Sequence, residues 1–170
     1  MADLFALLST LGIPYERADH DAAFTVDDVA RLVPLGGAPT KNLFLRDKKG
    51  TRQALVVVAA RKPVDLRSLA ERTGFERPSF GSADRLKRCL GIEPGAVSLL
   101  ALVHDEAHAV EVFIDRDLWA AASVQCHPLV NTATLVIPHE GLERFLAATG
   151  HTYHVIDMPG ADGTSARDDG

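Results

Sequence analysis

The sequence predicts an α+β fold: a single domain in which helices flank a mixed, mostly antiparallel, curved sheet. A chain of 170 residues is long enough for one domain with a substantial core. Its apolar strand-like segments come in hairpin-like pairs separated by helical segments, and neither a linker nor an internal repeat divides them. We expect residues 1–157 to form the domain. Residues 158–170 are expected to be a disordered tail, because the chain from Pro159 onward is rich in Gly, Asp, Ser and Ala.

Four segments have apolar residues at helical spacing and a glycine where the helix should end. Leu4, Leu7, Leu8 and Leu11 would form the buried face of the first. The predicted helices, each with its terminating glycine, are Asp3–Leu11 with Gly12, Asp65–Thr73 with Gly74, Ser82–Leu90 with Gly91, and Glu140–Ala148 with Gly150. Thr25, with acidic residues just after it, predicts a further helix start, and Pro34–Pro39 predicts a loop.

The predicted strands are short apolar runs bounded by turn residues. They are Ile13–Ala18, Asn42–Leu45, Gln53–Ala60, Ala96–Val103, Val110–Ile114, Val124–Cys126, Thr132–Ile137 and an edge strand at Tyr153–Ile156. The turn Asp47–Gly50 predicts that the second and third form a hairpin.

Positive charge is concentrated in one third of an acidic protein. Residues 41–90 hold thirteen of the eighteen Lys and Arg residues and five acids, a net charge of +8, whereas the whole chain carries −5. This distribution would let the protein bind a polyanion locally and repel it elsewhere. The alternative is a set of solvated helix faces.

Compartment and chemistry are constrained by what the sequence lacks. Two cysteines in no CxxC spacing predict free thiols in a reducing compartment. Neither a signal peptide nor an apolar run of membrane-spanning length is present, so a cytoplasmic protein without a membrane partner is expected. GxSxG, P-loop, GxGxxG and HExxH signatures are missing. His104 and His108 are four residues apart but fall in a predicted turn, so no metal site is predicted.

Two short stretches could carry chemistry. Lys41 leads from a Gly/Pro loop into the strand Asn42–Leu45, and alternation puts Lys41 and Leu43 on one face and Asn42 and Phe44 on the other. Its ammonium could hold a phosphate or an oxyanion, although many such lysines are solvated strand ends. His127 is fixed by the proline that follows it and could orient a substrate or a water; a structural turn histidine is equally compatible.

Together these stretches resemble the YbaK/ProX family, and within it the PrdX or ProXp-ala branch, which deacylates alanyl-tRNA(Pro). The resemblance extends from about Ala2 to Gly150 and rests on ordered motifs. These are KNLFLRDKKG from Lys41, Val64-Asp65-Leu66 with Leu69, Ser79-Phe80, LGIEPGAVS from Leu90, Ile114-Asp115, and His127-Pro128 with Asn131-Thr132-Ala133-Thr134.

The resemblance implies a tRNA-ester hydrolase without cofactor or metal. Lys41 matches the family's key lysine, Asn42 its neighbour at the site, and His127 the substrate-pocket histidine. Gly95, Ala96, Val97 and Ser98 match the loop whose backbone amides face the aminoacyl group, and Leu99 stands where proline is usual. The expected partners are an aminoacylated acceptor stem, that of the proline tRNA, and a prolyl-tRNA synthetase.

From these assignments we predict that the Lys41 ammonium and the Gly95–Ser98 amides converge on one acyl carbon, and that a ribose hydroxyl helps to activate the water. A pocket too small for proline would exclude it. Its candidate walls are Phe44, Leu45, Val58, Leu99 and Val103, each of which could equally be plain core. The acceptor stem would contact Arg46, Lys48, Lys49, Arg85, Lys87 and Arg88. Two alternatives stay open: a deacylase for another small amino acid or tRNA, and a non-catalytic nucleic-acid-binding or regulatory module.

Overall fold

The computed structural model describes residues 3–22 and 36–158. Its strands are β1 (Glu16–Asp19), β2 (Thr40–Arg46), β3 (Gln53–Ala59), β4 (Ser79–Phe80), β5 (Val110–Asp115), β6 (Ser123–Cys126), β7 (Ala133–Pro138) and β8 (His154–Ile156). Its helices are α1 (Leu4–Thr10), α2 (Leu66–Thr73), α3 (Ala83–Leu90), a 3-10 helix (Leu99–His104), α4 (Arg116–Trp119) and α5 (His139–Thr149). Within this part of the chain every helix is too short or too polar to cross a membrane.

The α+β class is confirmed, with the described strands divided between two sheets. Five strands lie in the order β4-β2-β3-β5-β8, antiparallel from β4 to β3 and parallel from β3 to β8. The antiparallel sheet has the order β1-β7-β6. A bridge between Ala38 and Val124 joins the chain just before β2 to β6. The start of β2 therefore lies where the two sheets meet.

The five-stranded sheet has a separate core on each face. In the β2–β3 pair, Asn42 lies opposite Val57 and Lys41 opposite Val58. Val57 belongs to the larger core, with the 3-10 helix, α3 and α5, whereas Val58 belongs to the smaller core, with Leu69 of α2. Because directly paired residues point to the same face, Asn42 faces the larger core and Lys41 the smaller one. We call these the first and second faces.

Most of the residues predicted to begin and end the helices do so in the structure. The side chains of Asp3, Asp65 and Ser82 accept hydrogen bonds from backbone N–H groups in the first turns of α1, α2 and α3. Gly74 and Gly91 end α2 and α3 in the left-handed conformation, which glycine adopts without steric cost.

The predicted strand at Ala96–Val103 is wrong. Leu99–His104 form a 3-10 helix, in which the Leu100 N–H donates to the Ser98 hydroxyl over 3.1 Å. All residues from Leu99 to Val103 are buried, so the run is apolar on every side and carries neither helical nor strand periodicity. Its type could not be decided from the pattern.

Three further predictions fall wholly or partly outside the described residues, and the loop Pro34–Pro39, described only from residue 36, is one of them. The helix start at Thr25 lies outside them, as does the tail from Pro159. Met158, assigned above to the tail, is buried in the smaller core. The domain boundary thus stays a prediction, with ordered contacts extending at least to Met158.

Candidate functional site

A cavity with a polar mouth opens on the first face, where β2, β6 and the start of the 3-10 helix meet. Its inner part has a cavity volume of about 10 Å³, room for about one water molecule, and is lined mainly by apolar side chains. The inner lining comprises Val57, Ser98, Leu99, Ile114, Leu118, Trp119, Val124 and Leu142. Its mouth, with a volume of about 30 Å³, adds His127 and Thr134. Thr40, Asn42, Gln125 and Cys126 line both parts. We call the two together the editing cavity, after the activity that the resemblance in the sequence leads us to expect.

Hydrogen bonds fix the polar groups at the start of β2. The Thr40 hydroxyl donates to the backbone carbonyl of Gln125 over 3.0 Å, and the Asn42 amide nitrogen donates to the Thr40 hydroxyl over 3.4 Å. The side-chain oxygen of Asn42 accepts no hydrogen bond from the described residues, so it is left to bind a donor such as a substrate amine or a water.

His127 is held in one tautomer at the mouth. Its Nδ1 lies 3.0 Å from the carbonyl oxygen of Ala133 and therefore carries the proton that is donated. Nε2 of the neutral ring is then a proton acceptor. Partial burial is the largest effect on the pKa of His127 and lowers it, the hydrogen bond to Ala133 raises it, and nearby His20 lowers it further. The net lowering keeps the imidazole neutral at physiological pH.

His20, which was not predicted as a site residue, lies beside this histidine. Its Nδ1 donates to the Asp21 carbonyl over 2.7 Å, and its Nε2 lies 2.9 Å from the hydroxyl of Thr134. The His20 and His127 ring centroids are 6.5 Å apart. β1 leads directly to His20 and pairs with β7, which carries Thr134. This pairing joins residues more than one hundred positions apart, so nothing local in the sequence predicts it.

Lys41 and the Gly95 loop do not converge, which corrects the prediction made from the sequence. The Lys41 side chain lies on the second face, where its ammonium donates to the carbonyl oxygen of Lys62. Burial lowers the pKa of Lys41. The Lys62 ammonium in turn contacts Asp115 and Asp117, each over 2.8 Å. Alternation along β2 causes the separation: it sends Asn42 into the editing cavity and its neighbour Lys41 away from it.

The loop before the 3-10 helix reaches the cavity only at its end. Glu93–Ala96 form a tight turn, with Gly95 at φ 94° and the Ala96 N–H donating to the Glu93 carbonyl over 3.1 Å. The Ala96 N–H is therefore engaged within the turn and is not available to a substrate. Of this loop, Ser98 and Leu99 line the editing cavity. Leu99 is the first residue of the 3-10 helix, a position that accepts proline readily, so leucine preserves the helix and adds an N–H group.

Most of the other predicted pocket walls lie elsewhere. Phe44 is buried in the larger core, and its ring lies so close to the Gly81 backbone that a Cβ there would be 2.6 Å from it. Leu45 and Val58 are on the second face, in the smaller core. Val103 is buried in the larger core. Leu99 is the one candidate wall among the five that lines the cavity.

The predicted tRNA-binding side chains lie around the β2–β3 turn and on α3. Arg46 donates to the Lys48 carbonyl over 3.2 Å, and Arg85 donates to the Gly50 carbonyl over 3.1 Å. Lys48, Lys49 and Arg88 are exposed, while Lys87 pairs with Glu93 over 3.1 Å. Since β2 rises about 3.3 Å per residue, this basic turn lies about 20 Å from the mouth of the cavity.

Several residues that line the cavity were not predicted from the sequence. Gln125 and Thr134 are buried polar residues within otherwise apolar strands. Such residues are a recognisable signal of a polar site, because burial of a polar group is unfavourable without a partner. Trp119 and Leu142, by contrast, look like ordinary core residues in the sequence. His104 and His108, which are four residues apart, do not form a site together. His104 forms a hydrogen bond with the Leu90 carbonyl, and His108 forms one with the Thr149 carbonyl.

Comparisons with known proteins agree on one family. The sequence model of the aminoacyl-tRNA editing domain matches residues 20–145. The prolyl-tRNA editing protein ProX of Acetoanaerobium sticklandii is 36% identical, over 91% of this chain and 95% of that protein. The prolyl-tRNA synthetase associated domain-containing protein 1 of Danio rerio is also 36% identical, over 92% of this chain and 86% of that protein. A solved structure described as a proposed trans-editing enzyme for prolyl tRNA synthetase has the same fold, with a TM-score of 0.66, 20% identity, and coverage of 90% of this chain and 93% of that one.

Proposed function

Because the chain belongs to the aminoacyl-tRNA editing domain family, we propose that it is a trans-editing deacylase that hydrolyses alanine mischarged onto the proline tRNA. The observation that carries this proposal is the editing cavity, which has a small apolar interior behind a polar mouth. Its cavity volume, about 10 Å³ inside and about 30 Å³ at the mouth, is far below the roughly 300–1,000 Å³ of pockets that hold drug-sized ligands. Such a cavity suits a methyl side chain and excludes a larger ring.

Size exclusion supplies the discrimination that a synthetase cannot. A synthetase pocket built for proline rejects a smaller side chain by only about 1–3 kcal/mol per missing methylene. A second site that admits the smaller residue and excludes the correct one removes the error. In the proposed complex, Leu99, Trp119 and Leu142 bound the alanine methyl, and the Asn42 side-chain oxygen accepts a hydrogen bond from the amino group.

The cavity offers groups for each part of ester hydrolysis. Water adds to the carbonyl carbon while its proton passes to Nε2 of His127, which needs no cofactor. The N–H groups of Ser98 and Leu99, where the 3-10 helix begins, are the proposed donors to the oxyanion. When the intermediate collapses, the bond from the acyl carbon to the ribose oxygen breaks. That oxygen takes the proton from His127, and free alanine leaves.

Lys41 is proposed to act on the terminal phosphate instead of the acyl carbon. To reach it, the ammonium must leave the Lys62 carbonyl and turn past the start of β2, which its long flexible side chain allows. The basic turn about 20 Å further along β2 would contact acceptor-stem phosphates. We propose a prolyl-tRNA synthetase as the source of the mischarged tRNA.

The experiment is deacylation of a panel of labelled esters on the proline tRNA: alanine, serine, threonine, cysteine and proline. Wild-type protein should release alanine fastest and leave proline esterified. Lys41→Ala should raise KM more than it lowers kcat, since it removes a phosphate contact. Faster release of serine or threonine would favour the alternative specificity. Survival of all esters at the uncatalysed rate would contradict an enzymatic function.

A further inference from the structure

Trp119 differs from the other apolar side chains that line the inner part of the editing cavity. Among the residues that the structure describes, it is the one apolar member of this lining that is not fully buried. It is also the last residue of α4, a helix of only four residues, which has little stability of its own. The indole therefore has a side that the cavity does not hold, and contacts on that side can fix its orientation.

Two aromatic side chains contact the indole from outside the cavity. The ring centroids of His139 and Tyr153 lie 4.3 Å and 5.0 Å from that of Trp119, and each ring is inclined to the indole by 60°. Neither His139 nor Tyr153 lines the cavity or its mouth. Aromatic pairs at such angles are favoured, because the positive edge of one ring approaches the negative face of the other. Together the two contacts favour one orientation of the indole.

The two contacting rings are themselves held by the fold. His139 is the first residue of α5; its backbone N–H donates to the Ala122 carbonyl over 2.9 Å, and its Nε2 lies 3.5 Å from a carboxylate oxygen of Glu143. Leu142, three residues after His139 and so on the same side of α5, lines the cavity. Tyr153 packs against the larger core just before β8. One helix thus supplies both a cavity wall and a contact behind the indole.

The small size of the cavity makes the orientation of the indole decisive. The inner volume is about 10 Å³, so a modest rotation of a ring as large as indole would add much of the space that further methylenes need. The buried lining side chains cannot turn in this way without displacing a close-packed core. We propose that His139 and Tyr153 are positioning residues that hold Trp119 as the wall excluding proline, an inference that rests on the proposed function and identifies residues outside the cavity that set its selectivity.

Quenching of tryptophan fluorescence by acrylamide tests the contacts in the free protein, because Trp119 is the only tryptophan in the chain. His139→Ala and Tyr153→Ala should raise the quenching constant, since the indole loses a neighbour and becomes more accessible. His139→Phe and Tyr153→Phe keep a ring at each position and should stay close to the wild-type value. His154→Ala is the matched control: its ring stacks on Phe113, with centroids 5.3 Å apart, in the smaller core away from the cavity.

The same proteins are then compared on the alanine and proline esters of the proline tRNA. In His139→Ala and Tyr153→Ala, the ratio of kcat/KM for alanine to that for proline should fall by about 10-fold or more, because the proline ester becomes a substrate. Both phenylalanine variants and His154→Ala should keep the wild-type ratio. A general loss of stability would instead lower alanine hydrolysis and leave the proline ester intact.

Two results would overturn the proposal: a quenching constant that is unchanged in both alanine variants, or an alanine-to-proline ratio that is unchanged in both while the wild-type protein releases alanine. The second result would leave the proposed function standing. Raised quenching in both alanine variants with no ester hydrolysed by any of the proteins would have the opposite meaning. It would keep the positioning of Trp119 and reject the enzymatic function.

Discussion

At the scale of single residues, two adjacent side chains point to opposite faces of the sheet, and this decides which of them can act in the cavity. Asn42 and Lys41 are adjacent in β2, yet one lines the editing cavity and the other bonds to the Lys62 carbonyl on the second face. Alternation could be predicted from the sequence. The face that holds the cavity could not be predicted, because it depends on the pairing of Ala38 with β6. That contact joins residues far apart in the chain.

The protonation of His127 predicts how activity depends on pH. If Nε2 accepts the proton of the attacking water, only the neutral ring is active. Because the pKa of His127 is lowered, kcat/KM should be constant from above pH 6.5 down to that lowered pKa and fall below it. His127→Ala should lose about 10²- to 10⁴-fold in kcat/KM and lose this acidic limb. An unchanged acidic limb in His127→Ala would exclude the histidine as the base.

A buried ion pair on the second face gives a prediction about stability. The Lys62 ammonium is held by buried Asp115 and by Asp117, whose side chain is 75% exposed. Asp115→Asn leaves a buried cation without its main partner and should lower the free energy of unfolding by about 3–5 kcal/mol. Asp117→Asn is the matched control and should cost under about 1 kcal/mol. Denaturant unfolding checks both, and equal effects would contradict the assignment.

At the scale of elements, the 3-10 helix is the predicted element whose type was wrong, and the short elements β4 and α4 were not predicted. The strands and caps around it were predicted because hairpin alternation and capping residues are local signals. Leu99–His104 are buried on all sides and carry no such period. The local signal was Ser98, a capping residue whose hydroxyl accepts the Leu100 N–H. A serine alone does not predict a helix when the apolar run that follows it has no helical period.

Removal of this cap should affect both stability and catalysis. Ser98→Ala should lower the free energy of unfolding by about 0.5–2 kcal/mol and reduce kcat/KM, because Ser98 also lines the editing cavity. Asp65→Ala removes the cap of α2, where Asp65 accepts the Ser68 N–H over 2.7 Å, and should cost a similar amount of stability without reducing kcat/KM. Equal effects of the two on kcat/KM would mean that Ser98 acts through stability alone.

At the scale of the whole molecule, the site is assembled from both sheets. β2 contributes Asn42, β6 contributes Gln125, and the chain leaving β6 contributes His127. The motifs in the sequence therefore located Asn42 and His127 without showing that they share one cavity. Likewise, the composition showed that positive charge is concentrated in residues 41–90. Only the fold shows that the basic turn between β2 and β3 is separated from the cavity by the length of β2.

We propose that the editing cavity admits alanine and excludes proline, and the fluorescence of Trp119 can measure this directly. This residue is the only tryptophan in the chain, and it lines the cavity. Its fluorescence is recorded while a non-hydrolysable amide analogue of 3′-alanyl-adenosine is added, and the prolyl analogue is added in a parallel titration. We expect a saturable fluorescence change with the alanyl analogue that is lost in Asn42→Ala, and no change with the prolyl analogue at the same concentration. An equal response to both analogues, or an unresponsive Trp119 in protein that hydrolyses the alanyl ester, would contradict it.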